Sequence, residues 1–335
     1  MKTFAPLVLA ACCALGAAGC SRAPSAEPPP AAPTAPFPRP AANEFSVMTF
    51  NLNQYALLDR DGDADTLEPK PPEEAGSIVE AIRQVSPDVL AVQEMGDPAA
   101  WAEFKFSLRQ AGLDYGYEEY LRRGRSVLNM GVLSRFPIVA TNSHVDDVYT
   151  IGPTKFPLMR GVIELDLEIN PQYRLRLMVA HLKSKVFHSF GQAEMRRNEA
   201  RLLNNHVRDA LEADPAVNLL VVGDFNDDPS SAALRDIATY KRQRILHDLR
   251  PADMVGDAWT HRENNDVYHR IDYMLASAGL LPEVVPDKTF AVRSPLLMRA
   301  SDHRPLVATF VAAERGTDAA PDLSKRLPPE IPQND

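Results

Sequence analysis

Apolar and polar positions follow two periods along this chain. Residues 45–51 alternate with period two, which predicts a strand. Residues 73–85 instead carry Ala75, Ile78, Val79 and Ile82 at helical spacing, and Pro87 predicts the stop. A second buried strand is predicted over 88–93 and a helix over 98–111. Short strands fit 130–134, 138–143, 160–169 and 174–181. A long helix fits 192–212, followed by a continuous apolar run over 218–222 that reads as a buried strand. The last strands fit 269–276 and 305–311. Tyr115, Tyr117 and Tyr120 cluster in what reads as a further core strand. Strands recur throughout, with helices after several of them. That pattern predicts an α/β layered fold rather than an all-β sandwich. There is no internal repeat of fixed period.

Composition changes the picture at the two ends. Met1-Lys2 followed by an apolar run over 4–18 reads as an export signal, too short to span a bilayer. Ala17-Ala18-Gly19-Cys20 resembles a bacterial lipoprotein cleavage site, although such sites usually carry Leu where Ala17 stands. The expectation is an exported protein, lipid-anchored in the cell envelope through Cys20, or periplasmic or secreted if Cys20 is not acylated. Residues 21–43, rich in Pro and Ala, read as a disordered tether, and 313–335 as a loose tail. The folded domain is then 44–312, expected as a monomer.

Charge and cysteines exclude several chemistries. The net charge of −9 supplies no global field that would draw the chain to nucleic acid. Cys12, Cys13 and Cys20 are the three cysteines, and all fall in the signal. The mature chain therefore has no disulfide, thiolate zinc site or cysteine nucleophile. Neither a Gly-x-Ser-x-Gly elbow nor a His-Glu-x-x-His pair occurs. Catalysis is left to carboxylates, imidazoles, hydroxyls or an oxygen-held metal.

Candidate chemistry gathers where apolar runs end. The run 218–222 leads into Gly223-Asp224-Phe225-Asn226. With period two, Asp224 and Asn226 reach the same face. Similar endings are Thr49-Phe50-Asn51, Val92-Gln93-Glu94 and Val179-Ala180-His181, joined by Arg270-Ile271-Asp272 and Ser301-Asp302-His303. Each has a blander reading alone. Asp224 and Asn226 could close an Asx turn, and Glu94 could be a charge at a helix start.

Taken together, these segments resemble the endonuclease/exonuclease/phosphatase superfamily. It includes pancreatic-type deoxyribonucleases, abasic-site endonucleases, neutral sphingomyelinases and inositol polyphosphate 5-phosphatases. The resemblance covers nearly the whole predicted domain in the right order. It implies a four-layer αββα sandwich, with two mixed sheets face to face and an active site at one edge. Asn51 and Glu94 resemble the family's metal-binding pair, and Asp302 a further metal or water ligand. The implied ion is magnesium, or manganese in its place. Asp224 resembles the residue that orients or deprotonates the attacking water, and Asn226 one that holds a phosphate oxygen. His303 resembles the central imidazole, Asp272 the acceptor of its other ring N–H, and His181 a second imidazole near the phosphate. Arg160 and Lys183 are weaker candidates for phosphate contact. Where some relatives place a carboxylate behind the first histidine, this chain has Leu128 or Asn129.

Some features add little. The acidic stretch Asp59 to Asp65 has its Gly misplaced for a helix–loop–helix calcium site and reads as a solvated loop on the rim. Arg122, Arg123 and Arg125, with Lys183 and Lys185, form the best basic patches. Arg196 and Arg197 read as structural or exposed. The implied activity is a metal-dependent phosphoesterase using in-line attack of water. Its substrate stays open between a nucleic-acid or related diester and a lipid head group or small phosphorylated solute. A catalytically silent binding protein is the rival of another class.

Overall fold

The computed structural model describes residues 37–62, 65–123 and 126–323. The proposed signal, Cys20, most of the tether and the end of the tail lie outside the described residues, as do Asp63 and Arg125.

Two six-stranded mixed sheets make up the middle of the molecule. In the first sheet, β1 (Glu44–Tyr55) and β2 (Val89–Met95) run parallel at the centre. β4 (Asn129–Ser134) and β3 (Tyr117–Leu121) extend it on one side, and the strands Leu306–Val311 and Phe290–Ala291 on the other. In the second sheet, β9 (Tyr173–His181) and β10 (Leu219–Asp224) form the parallel centre. It continues through β8 (Val162–Asn170) to β5 (Ile138–Thr141), and through Asp272–Ala276 to His247–Asp248. A small hairpin, β6 (Val148–Ile151) and β7 (Thr154–Pro157), stands apart from both sheets.

Side-chain alternation assembles these sheets into layers. On β1, Phe45 and Val47 join one apolar cluster with Val222 of β10 and Val179 of β9, while Met48 and Phe50 join another with Ile78 and Ile82. Through Leu52, odd-numbered β1 residues therefore face the second sheet, and even-numbered ones face α1 (Pro72–Val85) and α2 (Pro98–Gln110). The far face of the second sheet packs Val221 and Met178 against Leu203 and Val207 of α3 (Gln192–Ala213) and Leu234 of α4 (Ala232–Ala238). The order helix, sheet, sheet, helix is the expected four-layer sandwich, and three apolar layers hold it together.

The structure departs from the sequence reading in three places. The domain is wider than 44–312, because Phe37 stacks on Phe290 with ring centroids 5.5 Å apart and Leu323 packs on the inter-sheet core. Polar contacts fasten both stretches further, Arg39 donating to Val85 O and Gln84 O, and Glu283 accepting the Arg315 N–H at 2.9 Å. The strand carrying Tyr117 and Tyr120 is an edge strand, with Tyr117 exposed. The strand predicted from residue 269 is regular only from Asp272. No helix among the described residues is long and apolar enough to cross a membrane.

Candidate active site

The inter-sheet face changes character at one end. On β1 it reads Phe45, Val47, Thr49, Asn51; on β10 it reads Leu220, Val222, Asp224. On β9 it ends in Val179 and His181, and on the antiparallel strand Asp272–Ala276 it starts with Asp272. Register aligns these ends, with Asp224 opposite His181 on one side and Asp272 on the other. All four side chains are buried. The Nδ2 of Asn51 crosses between the sheets and donates to Asp224 Oδ2 at 3.0 Å.

Two backbone irregularities aim the remaining groups. Glu94 has φ of +60° and sits where β2 slips register against both neighbours. Without that bulge its parity would match Val92 and send it toward the helices. The bulge returns Met95 to the helix side and turns Glu94 to the site. There Oε2 accepts the Gln54 N–H at 2.9 Å and Oε1 lies 3.9 Å from His181 Nε2. Asn53 and Gln54 are themselves left-handed, and the buried Lys70 ammonium donates to Asn53 O at 2.8 Å. Gly223, with φ of +132°, passes so close to β9 that a Cβ would lie 2.0 Å from Ala180 O. Glycine is needed there to bring Asp224 beside His181.

Asp224 is held by amides. Oδ1 accepts the Asn226 backbone N–H at 2.9 Å, and Oδ2 accepts Asn226 Nδ2 at 3.2 Å. His181 Nε2 lies 3.4 Å from Oδ2 and His303 Nε2 lies 3.9 Å from it. Burial, then the Asp272 charge, pushes the Asp224 carboxyl up to about 7 against the pull of His303.

The two histidines are driven apart electrostatically. Burial disfavours charge on His303, but Asp272, whose Oδ2 sits 2.8 Å from Nδ1, outweighs it together with Asp224 and Asp302, and the imidazole rises to about 10. His181 is held well below the ordinary histidine value by burial and by the charges of Arg160 and His303. One ring is therefore cationic and the other neutral at pH 7. The Nδ1 of His181 is buried without a hydrogen-bond partner among the described residues. Asn129 does not supply one, because its Nδ2 donates to Gly96 O at 2.9 Å and Tyr120 Oη at 3.1 Å.

Asp302 lies at the rim with its side chain 41% exposed, Oδ2 being 3.5 Å from His261 Nε2. The burial of its carboxyl is outweighed by the His261 hydrogen bond and the nearby imidazole charges, which hold it below the usual range. An open cleft of about 590 Å³ borders this rim, lined by His261, Arg262, Glu263, Asn264, Asn265 and Asp302.

The weaker phosphate candidates part ways. Arg160 reaches the edge of the site, donating from Nη1 to Leu182 O at 3.2 Å, with Nε unpartnered among the described residues. Lys183 turns to its own loop and donates to the Ser184 and Val186 carbonyls, each at 3.3 Å. Arg196 is structural as expected, bonded to Asp227 and to Lys183 O.

Several site residues escaped the sequence reading. His261 packs its ring 4.7 Å from that of His303. Ser301 Oγ accepts the His303 N–H at 3.0 Å and donates to Asn51 O at 2.9 Å. Thr260 Oγ1 accepts the Asp272 N–H at 3.0 Å. None follows a strong apolar run, so no periodic signal marks them. Gln93, buried against Thr49, ends the β2 run and was legible from its parity with Ala91.

Glu94, Asn51 and Asp302 are hard oxygen donors around this edge, and Asp302 Oδ1 is a buried atom without a hydrogen-bond partner among the described residues. That donor chemistry fits magnesium or manganese, which prefer oxygen and keep several waters.

A sandwich with this polar edge defines a class of α/β phosphoesterase folds. The chain belongs to the Endonuclease/Exonuclease/phosphatase family, whose sequence profile it matches over residues 48–303. Truncated TDP2 of Caenorhabditis elegans has a similar structure, with TM-score 0.56 and 18% identity over 80% of this chain and 98% of that one. The human Nocturnin catalytic domain gives 0.57 and 19%, over 80% of this chain and 94% of its own. Sphingomyelinase C from Streptomyces griseocarneus gives 0.53 and 19%, over 80% and 99%. At these identities the likeness is one of fold. A search of curated protein sequences finds no match.

Proposed function

We propose that the chain is a divalent-metal-dependent hydrolase of phosphate diesters. The observation that carries this reading is the convergence of Asn51, His181, Asp224, Asn226, Asp272 and His303 at one buried inter-sheet edge, beside Glu94. A core would exclude such groups unless they served a purpose, because buried polar and ionised groups are costly.

A magnesium or manganese ion held by Glu94, Asn51 and Asp302 would supply Lewis-acid stabilisation of phosphoryl charge. The chain's own groups do the rest. Asp224, fixed by three amide N–H groups from Asn51 and Asn226, orients a water for in-line attack and takes its proton at a carboxylate oxygen. His303, kept cationic by Asp272, faces the negative charge that grows on the nonbridging oxygens. Asn226 fixes Asp224 and stands beside the same oxygens. His181, neutral, offers a ring N–H toward the leaving side. Arg160 stands behind His181 and adds positive potential.

The test compares hydrolysis of bis(p-nitrophenyl) phosphate and p-nitrophenyl phosphate by residues 21–335, which contain all three apolar layers. Magnesium-dependent turnover of the diester, lost in Asp224→Ala and with chelator, is the expected result. Faster turnover of the monoester would replace the diesterase with a phosphatase. No turnover on either, with no metal bound in titration calorimetry, would sink the enzyme reading and favour a binding protein.

Export and acylation of Cys20 belong to the same proposal, supported by the short apolar run and the small residues before the cysteine. Radiolabelled palmitate should enter the wild-type chain and not Cys20→Ser. Equal labelling of both chains would remove the anchor. A monomer is expected, and a single species of monomer mass in light scattering checks it.

A further inference from the structure

Beyond β9 the chain crosses a short loop before α3. Its sequence, Lys183-Ser184-Lys185-Val186-Phe187-His188-Ser189-Phe190, puts apolar side chains directly after two lysines. Val186 is 71% exposed and Phe187 81%, the two largest exposures among the described large apolar side chains. The loop holds a defined shape. The Lys183 ammonium donates to carbonyls within it, Gly191 N–H donates to His188 O at 2.8 Å, and Phe190 sets its edge against Phe156 of β7 with centroids 4.9 Å apart. Apolar surface is thus presented on a braced tip rather than on a segment that could fold it away.

The tip stands beside the catalytic edge. It begins five residues after His181, and Arg160, at the edge of the site, bonds to Leu182 O just before its loop. Buried Glu199 of α3 anchors the start of the loop: its Oε2 accepts the Lys183 N–H at 2.6 Å.

We propose that Val186 and Phe187 form an apolar tip that enters the headgroup region of an anionic phospholipid bilayer and sets the catalytic edge against it. Two observations select a bilayer. The exposed Lys155 of β7 adjoins Phe156, on which Phe190 packs, and Lys185, paired with Asp228 at 3.1 Å with its side chain 40% exposed, precedes Val186; these cations flank the loop on a chain whose net charge is −9, the local complement of anionic lipid. The chain before Phe37 is also short. From Ser21 to Pro36 it can reach at most about 55 Å, so an acyl group on Cys20 would hold the start of the domain within that distance of the membrane. Docking stands independently of the phosphoesterase reading, whereas delivery of a headgroup phosphodiester to the site rests on it.

The test uses residues 21–335, which lack Cys20, so that no acyl chain contributes. The protein is sedimented with vesicles of phosphatidylcholine, with and without phosphatidylglycerol. Binding is expected to the anionic vesicles and to fall about tenfold or more in V186D/F187D, from the lost apolar burial. Turnover of soluble bis(p-nitrophenyl) phosphate should stay within about twofold, because neither side chain touches the site. Phe187→Trp, which keeps an aromatic tip, should shift its emission to the blue on anionic vesicles. Equal sedimentation of the wild type and the double variant, or an unshifted tryptophan, overturns the proposal. Dimerisation that V186D/F187D abolishes, without vesicle binding, also overturns it and makes the tip a contact between copies. Vesicle binding without any diester turnover would remove the enzyme reading and leave the membrane surface standing.

Discussion

Val222 and Asp224 lie two residues apart on one strand and one face, yet they belong to different regions. Val222 sits in the middle of the inter-sheet slab among Val47, Ala91 and Val179, while Asp224 sits at its end among Asn51, His181 and Asp272. Burial is nearly complete in both places. The middle gains stability from apolar contact. The end loses some of it, because Asp224, its pKa raised by burial and by Asp272, is ionised only at a cost. One slab therefore carries both cohesion and chemistry, and strand length decides where one gives way to the other.

Substitutions at the two ends should separate these roles. The largest effect is expected from Asp224→Asn, with diester turnover falling by about 10²–10⁴-fold through loss of the oriented base. Thermal stability should hold or rise in the same protein, since a raised carboxyl pKa means that deprotonation opposes folding. A clear fall in Tm would mean that Asp224 is structural, like its neighbour Val222.

Asp272→Asn should lower turnover by about 100-fold, by removing the group that keeps His303 cationic. Its pH dependence has a definite sign. A raised folded pKa makes the His303 contribution complete below the ordinary 6.5 and lost as pH rises through about 10. Wild type should lose more stability than Asp272→Asn between those values in urea titrations. Parallel curves would deny the pair its charge.

Gly223→Ala tests the junction between the regions. Its Cβ would meet Ala180 O at 2.0 Å, and the chain must move. A loss of about 2–4 kcal/mol is expected in urea unfolding, with turnover lost too as Asp224 shifts. Val222→Ala, at the apolar end, should cost about 2 kcal/mol through its cavity while leaving kcat nearly unchanged. A kcat that falls as far as in Asp224→Asn would erase the distinction.

A smaller effect is expected at Glu199, whose carboxyl is raised to about 7 by burial, against the charge of Arg160 and the Lys183 N–H it accepts. It favours the fold below the ordinary 4.5 and loses that contribution as pH rises through about 7. Glu199→Gln should therefore be more stable than wild type at pH 8, by about 1–3 kcal/mol, and differ less at pH 5. The same stability at both pH values would show that Glu199 keeps its charge without penalty.

The sequence was most readable where an apolar run ends abruptly. Asn51, His181, Asp224 and Asp272 each end or begin such a run; period two paired only Asp224 with Asn226, and Asn226 lies past the strand end, where its N–H closes an Asx turn on Asp224. Glu94 was legible only by resemblance, because its parity alone would have pointed it at the helices. His261, Ser301 and Thr260 were not legible, since they lie in irregular chain where no period assigns a face. Phe37 and Leu323 were misread for a related reason, because composition describes a stretch and misses the particular side chains that dock it.

By itself, the sequence determined the alternation of strands and helices, the polar ends of the central strands and the family. These depend on local periods and on residue type, which a linear chain carries openly. Tertiary structure alone decided that the polar ends of two different sheets meet, that a left-handed bulge turns Glu94 inward, and that His303 is charged while His181 is neutral. Those facts depend on distances between segments far apart in sequence and on the desolvation that packing imposes, and no local pattern encodes either.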